Sequence, residues 1–226
     1  MHIPSGASQT VELLSFPEAL ALSGKSGGYD AETWLYVPDF YTEYRYILGT
    51  RGRDPLICIG INPSTAAPDD LDPTLKSVSR IAAGNGFDSW IMFNVYAQRA
   101  TRPDDMDLTL NERLHRENMA AFRYILSETA RNGVAPAVWA AWGTIIEKRD
   151  YLPGCVREMA QIGGEYGARW LCAGCCSKAG HPHHPLYLRK DERVRAFDIE
   201  EYLKHRLLLK KDEEFEMFEA DIIEGG

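Results

Sequence analysis

A chain of 226 residues with 45% hydrophobic and 26% charged side chains has the balance of one globular domain with a full core and modest extensions. Its formal net charge of −8 argues against general attraction to a nucleic-acid backbone and leaves room only for a local basic face. No apolar run approaches the ~20 residues needed to span a bilayer. Met1 to Leu14 also lacks the charged start and apolar core of a signal peptide. The expected location is the cytoplasm, with the five cysteines reduced.

Residues 1–40 read as an N-terminal extension. Within it, Gly24-Lys25-Ser26 ends like a phosphate-binding loop, but Ala19 stands where that motif needs its first glycine and no strand precedes it. Residues 33–48, with Trp34, Tyr36, Tyr41, Tyr44 and Tyr46, read as an aromatic-rich edge hairpin or an irregular extension. A single α/β domain is expected over 41–209, its pattern starting at Leu56. There the apolar run Leu56-Ile57-Cys58-Ile59 breaks into Gly60-Ile61-Asn62-Pro63-Ser64-Thr65, a buried strand feeding a polar loop. Asp72 is placed to cap a helix with Pro73 at its first position. Leu75, Val78, Ile81 and Ala82 then recur at helical spacing, and Gly84 and Gly86 close it. Trp90 to Asn94 reads as the second strand and Asn111 to Arg131 as the longest helix, with Leu114, Met119, Phe122, Ile125 and Leu126 on its apolar face. Pro136 to Gly143 reads as the third strand, and Glu147 to Ala160 as a helix interrupted near Pro153-Gly154. Arg169 to Ala173 gives the fourth strand, Asp191 to Leu209 a closing helix, and 210–226 an acidic tail. Strands alternating with helices imply a parallel sheet covered on both faces, with no internal repeat and no second domain.

In such sheets ligands sit outside the carboxyl ends of the strands, where Asn62, Ser64 and Thr65 are expected. Asn62 can orient a water or bond a polar substrate, although an amide is a poor general base; the plain alternative is a locally bonded Asn-Pro turn. Asn94 ends the second strand and offers a donor and an acceptor together, which suits a pyrimidine edge or, equally, loop backbone. Phe93 and Tyr96 are the rings best placed to stack on a base, whereas Trp139 and Trp142 read as core. His181, His183 and His184 crowd one loop, able to supply a general acid or an electrophile. They follow Cys172-x-x-Cys175 and Cys176 at a zinc-like spacing; Cys155 would make a fourth cysteine, but its spacing to Cys172 fits no zinc pattern, no second Cys-x-x-Cys exists and no metal is assigned. Basic groups stand at Arg51 and Arg53, at Arg99 and Arg102, and from Arg189 to Arg195; solvated surface charge is the bland reading of each. Neither a serine-hydrolase elbow nor a dinucleotide fingerprint occurs.

Several motifs together resemble a bacterial and phage family catalogued as a domain of unknown function, DUF1643. They are Tyr44-Arg45-Tyr46, Gly60 to Ala66, Asp72-Pro73-Thr74, Asn94 to Thr101, Ala141-Trp142-Gly143 and His184 to Leu188. More distantly, the order of motifs resembles the uracil-DNA glycosylase superfamily. That resemblance implies a three-layer α/β/α sandwich around a four-stranded parallel sheet. It also implies hydrolysis of the N-glycosidic bond of a modified or mismatched base in DNA, without a cofactor. On it, Asn62 positions the attacking water, Asn94 reads the base, His184 stabilises charge on the departing base, and Arg99, Arg102 and Arg189 grip phosphate. Gly60, Pro63, Ser64, Thr65, Asp72, Phe93, Tyr96 and Pro185 complete the implied substrate surface. Ser64 replaces a glycine common in that superfamily, and the His184-Pro185 loop continues Leu-Tyr-Leu. The implied partner is nucleic acid or a nucleotide, with no membrane. Two other readings stay open: a non-catalytic module that recognises a modified base or nucleotide, and a base-modifying transferase on the same fold.

Overall fold

The computed structural model describes residues 13–208; residues 1–12 and 209–226, including the acidic tail read at 210–226, lie outside the described residues. Seven strands form one sheet: β1 (Trp34–Val37), β2 (Ile47–Thr50), β3 (Pro55–Gly60), β4 (Ser89–Asn94), β5 (Ala137–Ala140), β6 (Arg169–Ala173) and β7 (Val194–Ala196). Their order is β1-β2-β4-β3-β5-β6-β7. The sheet is therefore mixed, not the four-stranded parallel one expected. β4, β3, β5 and β6 run parallel; β2 and β7 flank them antiparallel, and β1 pairs antiparallel with the outer side of β2. The aromatic segment resolves as the β1–β2 hairpin. Gly49 lets β2 close onto β4, since a Cβ there would stand 2.4 Å from the Trp90 carbonyl oxygen. Strand β7 is three residues long with the exposed Arg195 at its centre, and so carries no buried alternation to betray it.

Helix α2 (Pro73–Gly84) starts as its sequence predicts: the Asp72 carboxylate accepts the Leu75 N–H at 2.9 Å, and Pro73 occupies the first turn. It lays Leu75, Val78, Ile81 and Ala82 on one face of the sheet, against Leu56, Cys58, Met92 and Trp139. The opposite face, with Ile57, Ile59, Phe93 and Val138, is covered by α1 (Phe16–Leu22), α3 (Glu112–Arg131) and α4 (Leu152–Glu165). Helix α4 begins near Pro153 instead of being interrupted by it, because proline is tolerated in the first turn where no N–H partner is needed. Residues 143–147 ahead of it form a separate 3-10 turn. The closing helix is also shorter than expected. Asp198 caps α5 (Ile199–Tyr202) by accepting the Glu201 N–H at 2.9 Å, and a π-helical stretch follows over Leu203–Leu208.

Residues 13–40, within the segment set apart as an extension, supply α1 and β1 to these layers, with Phe16, Ala19, Leu35 and Val37 buried. Among the described residues no helix is long and apolar enough to cross a membrane. The connection β3–α2–β4 leaves on one face and β5–α4–β6 on the other. The loops after the adjacent strands β3 and β5 therefore diverge, which opens a crevice between them at the carboxyl edge of the sheet.

Candidate functional site

Beyond β3 the chain keeps pairing with β4. The Val95 N–H donates to the Gly60 carbonyl and the Tyr96 N–H to the Ile61 carbonyl, both at 2.9 Å. At Asn62 the loop departs, and the Asn62 amide nitrogen pins it by donating to the Ala100 carbonyl at 2.7 Å and the Pro63 carbonyl at 3.1 Å. Both of its amide hydrogens are thereby spent, leaving the side-chain oxygen as acceptor. Gly60 keeps the strand end open, because a Cβ there would stand 2.5 Å from the Met92 methyl carbon.

The opposite wall comes from β5. Gly143 takes φ +63°, a left-handed turn that suits glycine, and its N–H donates to the Pro182 carbonyl at 3.0 Å. This bond ties the β5 loop to the histidine-rich loop. Ser77 of α2 holds the same loop from the other side by donating to the Pro185 carbonyl at 2.8 Å. His184 then stands at the start of the Pro185–Tyr187 3-10 turn. Burial pulls its imidazole below the ordinary histidine range, with Asp72 opposing more weakly, so the ring is neutral at pH 7.

Between these walls lies a cleft of about 360 Å³, at the small end of ligand sites. Its polar lining includes Arg45, Asn62, Ser64, Asp72 and His184, and its apolar lining includes Ile61, Leu75, Met92, Trp142 and Ile145. Of the residues singled out in the sequence, Gly60, Asn62, Ser64, Asp72 and His184 meet here. Pro63 and Pro185 serve as backbone struts beside them, and Thr65 is exposed on the loop.

Others are placed elsewhere. Asn94 is buried behind the β3 loop; oriented to satisfy its surroundings, its amide nitrogen donates to the Asn62 carbonyl at 3.2 Å and the Phe93 carbonyl at 3.3 Å. It braces the site and does not line the cleft. Phe93 and Tyr96 are wholly buried, Phe93 against Phe122 with ring centroids 5.2 Å apart and Tyr96 against Tyr151 at 5.1 Å. Their rings offer no stacking platform. Arg102 is exposed between the lining residues Thr101 and Pro103, and Arg189 is exposed beside Asp191 at 3.3 Å. Trp142 is core, as read, but one edge also lines the cleft. Among the described residues no group of three or more His, Cys, Asp or Glu side chains is placed to hold a metal ion.

The residue that sequence reasoning passed over is Arg45. It lines the cleft although only 1% exposed, and it donates from Nη1 to the Ala66 carbonyl at 2.9 Å. Arg99 lies beside it, donating to the Ser64 carbonyl and to the Tyr36 hydroxyl, with its guanidinium 4.3 Å above the Tyr41 ring. Burial, and then the charge of Arg99, pull the Arg45 guanidinium down to about 9. Burial likewise lowers Arg99. The only available signal was Tyr44-Arg45-Tyr46 itself, a cation set between two rings.

The family described as Protein of unknown function (DUF1643) matches residues 45–186. The chain belongs to this family. Among curated proteins and among solved structures, none matches the chain. The DUF1643 match opens at Arg45 and closes at Leu186, the first and last residues to line the cleft. The DUF1643 segment thus carries the whole lining, drawn mainly from the segments that follow β3, β4, β5 and β6 together with Arg45 ahead of β2. Chemically, that lining combines one amide oxygen, one carboxylate, a neutral imidazole and a buried cation above an apolar floor.

Proposed function

We propose that the cleft takes a nucleobase or nucleotide, and that the protein hydrolyses the N-glycosidic bond of a modified or mismatched base in DNA. The observation that carries this reading is the convergence of Asn62, Asp72 and His184 on one small cleft outside β3 and β5. A flipped base enters between the Asn62 and His184 loops. Water attacks the anomeric carbon, the bond to the base nitrogen breaks, and the electron pair leaves with the base. The Asn62 oxygen orients the water but cannot take its proton. Asp72 is the one carboxylate among the described lining residues, and it takes that role. Neutral His184 donates a hydrogen bond to the departing base and so stabilises its charge.

The likeness of Gly60-Ile61-Asn62-Pro63 and His184-Pro185 to the uracil-DNA glycosylase superfamily supports this assignment. So does the parallel core β4-β3-β5-β6 between helical layers, which we assign to that fold. Two roles change. Asn94 acts as a brace, so Asn62 and Ser64 meet the polar edge of the base. Trp142, Met92 and Ile145 form the apolar wall in place of Phe93 and Tyr96.

The test is mass spectrometry of oligonucleotides carrying uracil, hydroxymethyluracil, mismatched thymine and other modified bases after incubation with the full chain. Base release is expected, falling by about 100-fold or more in Asn62→Ala, Asp72→Asn and His184→Ala. Tight binding with no abasic product would instead identify a recognition module, and an added mass would identify a transferase. Either of these outcomes overturns the hydrolase assignment.

A further inference from the structure

Two cations without a carboxylate lie buried at one wall of the cleft. The chain builds the pair deliberately: Arg45 donates its N–H to the Ala97 carbonyl at 2.9 Å and Arg99 its N–H to the Glu43 carbonyl at 2.7 Å. This antiparallel pairing sets the two guanidiniums together beneath the loop of residues 63–67. What they find there is backbone carbonyl, a phenol hydroxyl and an aromatic face. Among the described residues neither makes an ion pair, and the Nε of each is buried without a hydrogen-bond partner. Asp72 acts on Arg45 electrostatically, but its carboxylate is turned onto the Leu75 N–H. Carbonyl dipoles alone leave a buried like-charge pair uncompensated. The first turn of α2, a 12-residue helix, lines the same cleft through Pro73, Thr74 and Leu75 and adds the positive end of its dipole.

We propose that the Arg45 wall is a subsite for a phosphate group. Arg45 contacts the group directly, while Arg99 lies behind it and supplies field. A guanidinium fork matches phosphate oxygens in a way that an ammonium does not. The base attached to that phosphate rests on the nucleobase reading above; the phosphate itself does not. The shared chemistry is a phosphate attached to the nucleoside in the cleft, whether a diester of DNA or the terminal monoester of a mononucleotide, and the probes below tell the two apart.

Calorimetric titration and thermal unfolding of the full chain with sodium phosphate, against sodium chloride at matched ionic strength, test the proposal. Phosphate is expected to bind and raise the midpoint. Arg45→Gln is expected to lose about tenfold or more in phosphate affinity, the worth of a charged hydrogen bond. Arg45→Lys falls between the two, and the exposed Arg131→Gln matches the parent. If Arg45→Gln fails to fold, the parent protein still decides: stabilisation by phosphate no greater than by chloride overturns the subsite.

Further probes separate the readings. Arg45-dependent binding of deoxyuridine 5′-monophosphate, but not of an oligonucleotide lacking a terminal phosphate, supports the monoester; equal dependence for the oligonucleotide supports a backbone phosphate in the same subsite. Arg45-dependent binding of deoxyribose 5-phosphate without any binding of deoxyuridine upholds the subsite and overturns the nucleobase reading. Deoxyuridine binding without phosphate binding does the reverse.

Discussion

Two buried polar clusters, one bonded to Trp142 and one at the Arg45 wall of the cleft, are built on opposite principles. In the first, His181 is 1% exposed, its Nδ1 bonded to the Tyr202 hydroxyl at 2.8 Å and its Nε2 to Glu147 at 2.9 Å. The Tyr202 oxygen also accepts the Trp142 indole N–H at 2.9 Å, so the inner polar atoms of this cluster are all used. In the second, Arg45 and Arg99 keep unpartnered Nε atoms and no carboxylate. A satisfied network rigidifies a scaffold, and an unsatisfied charge beside a cleft is a vacancy for a ligand's opposite charge. The first cluster thus holds the wall that the second needs.

Four substitutions probe that contrast, from the largest expected effect to the smallest. Asn94→Asp places a carboxylate against the Phe93 and Asn62 carbonyls, buried in the scaffold behind the cleft lining. Urea unfolding is expected to show a loss of about 3–5 kcal/mol, the penalty of an uncompensated buried charge. A neutral result would mean that Asn94 is solvated. Tyr202→Phe removes the shared hydroxyl and is expected to cost about 2 kcal/mol by the same measurement, with nucleotide affinity unchanged. Should affinity fall instead, the two clusters are not separable. Arg45→Met is expected to leave stability within about 1 kcal/mol of the parent, or raise it, because a buried uncompensated charge is exchanged for an apolar chain. A loss comparable to that in Tyr202→Phe would make Arg45 scaffold.

The smallest effect concerns His184. Its folded pKa lies below the ordinary value of 6.5, so on acidification the unfolded chain takes up a proton first. Stability therefore falls as pH drops below about 6.5, until the folded-state pKa is reached. His184→Gln should flatten that limb of the stability–pH curve. An unaltered limb would place the titration on another group.

Local chemistry was legible. The Asp72-Pro73 helix start follows from cap and proline stereochemistry within one turn, and the β3 loop follows from an apolar run that ends in Gly-Ile-Asn-Pro. What failed depended on long-range packing. Gly60 of β3 and Asn94 of β4 are register partners, yet Asn62 reaches the cleft while Asn94 turns onto the Asn62 carbonyl. Nothing local separates two asparagines at neighbouring strand ends. Phe93 points at α3 because of the pleat, and Tyr96 is claimed by Asn111 and Asp107 of a later loop. Arg45 enters the site only through the pairing of Tyr44 with Gln98, a contact between residues far apart in sequence. Of the flanking strands, the β1–β2 hairpin was one of two readings of the aromatic segment, while β7 was hidden by its shortness and by the exposed Arg195.

The most direct test of the central claim is a crystal structure of the full chain soaked with deoxyuridine 5′-monophosphate. The expected result places the base between the Asn62 and His184 loops and the phosphate within hydrogen-bond distance of Arg45. A nucleotide bound elsewhere, such as the groove beside Cys176 and Arg206, with the β3–β5 cleft empty, would contradict the account.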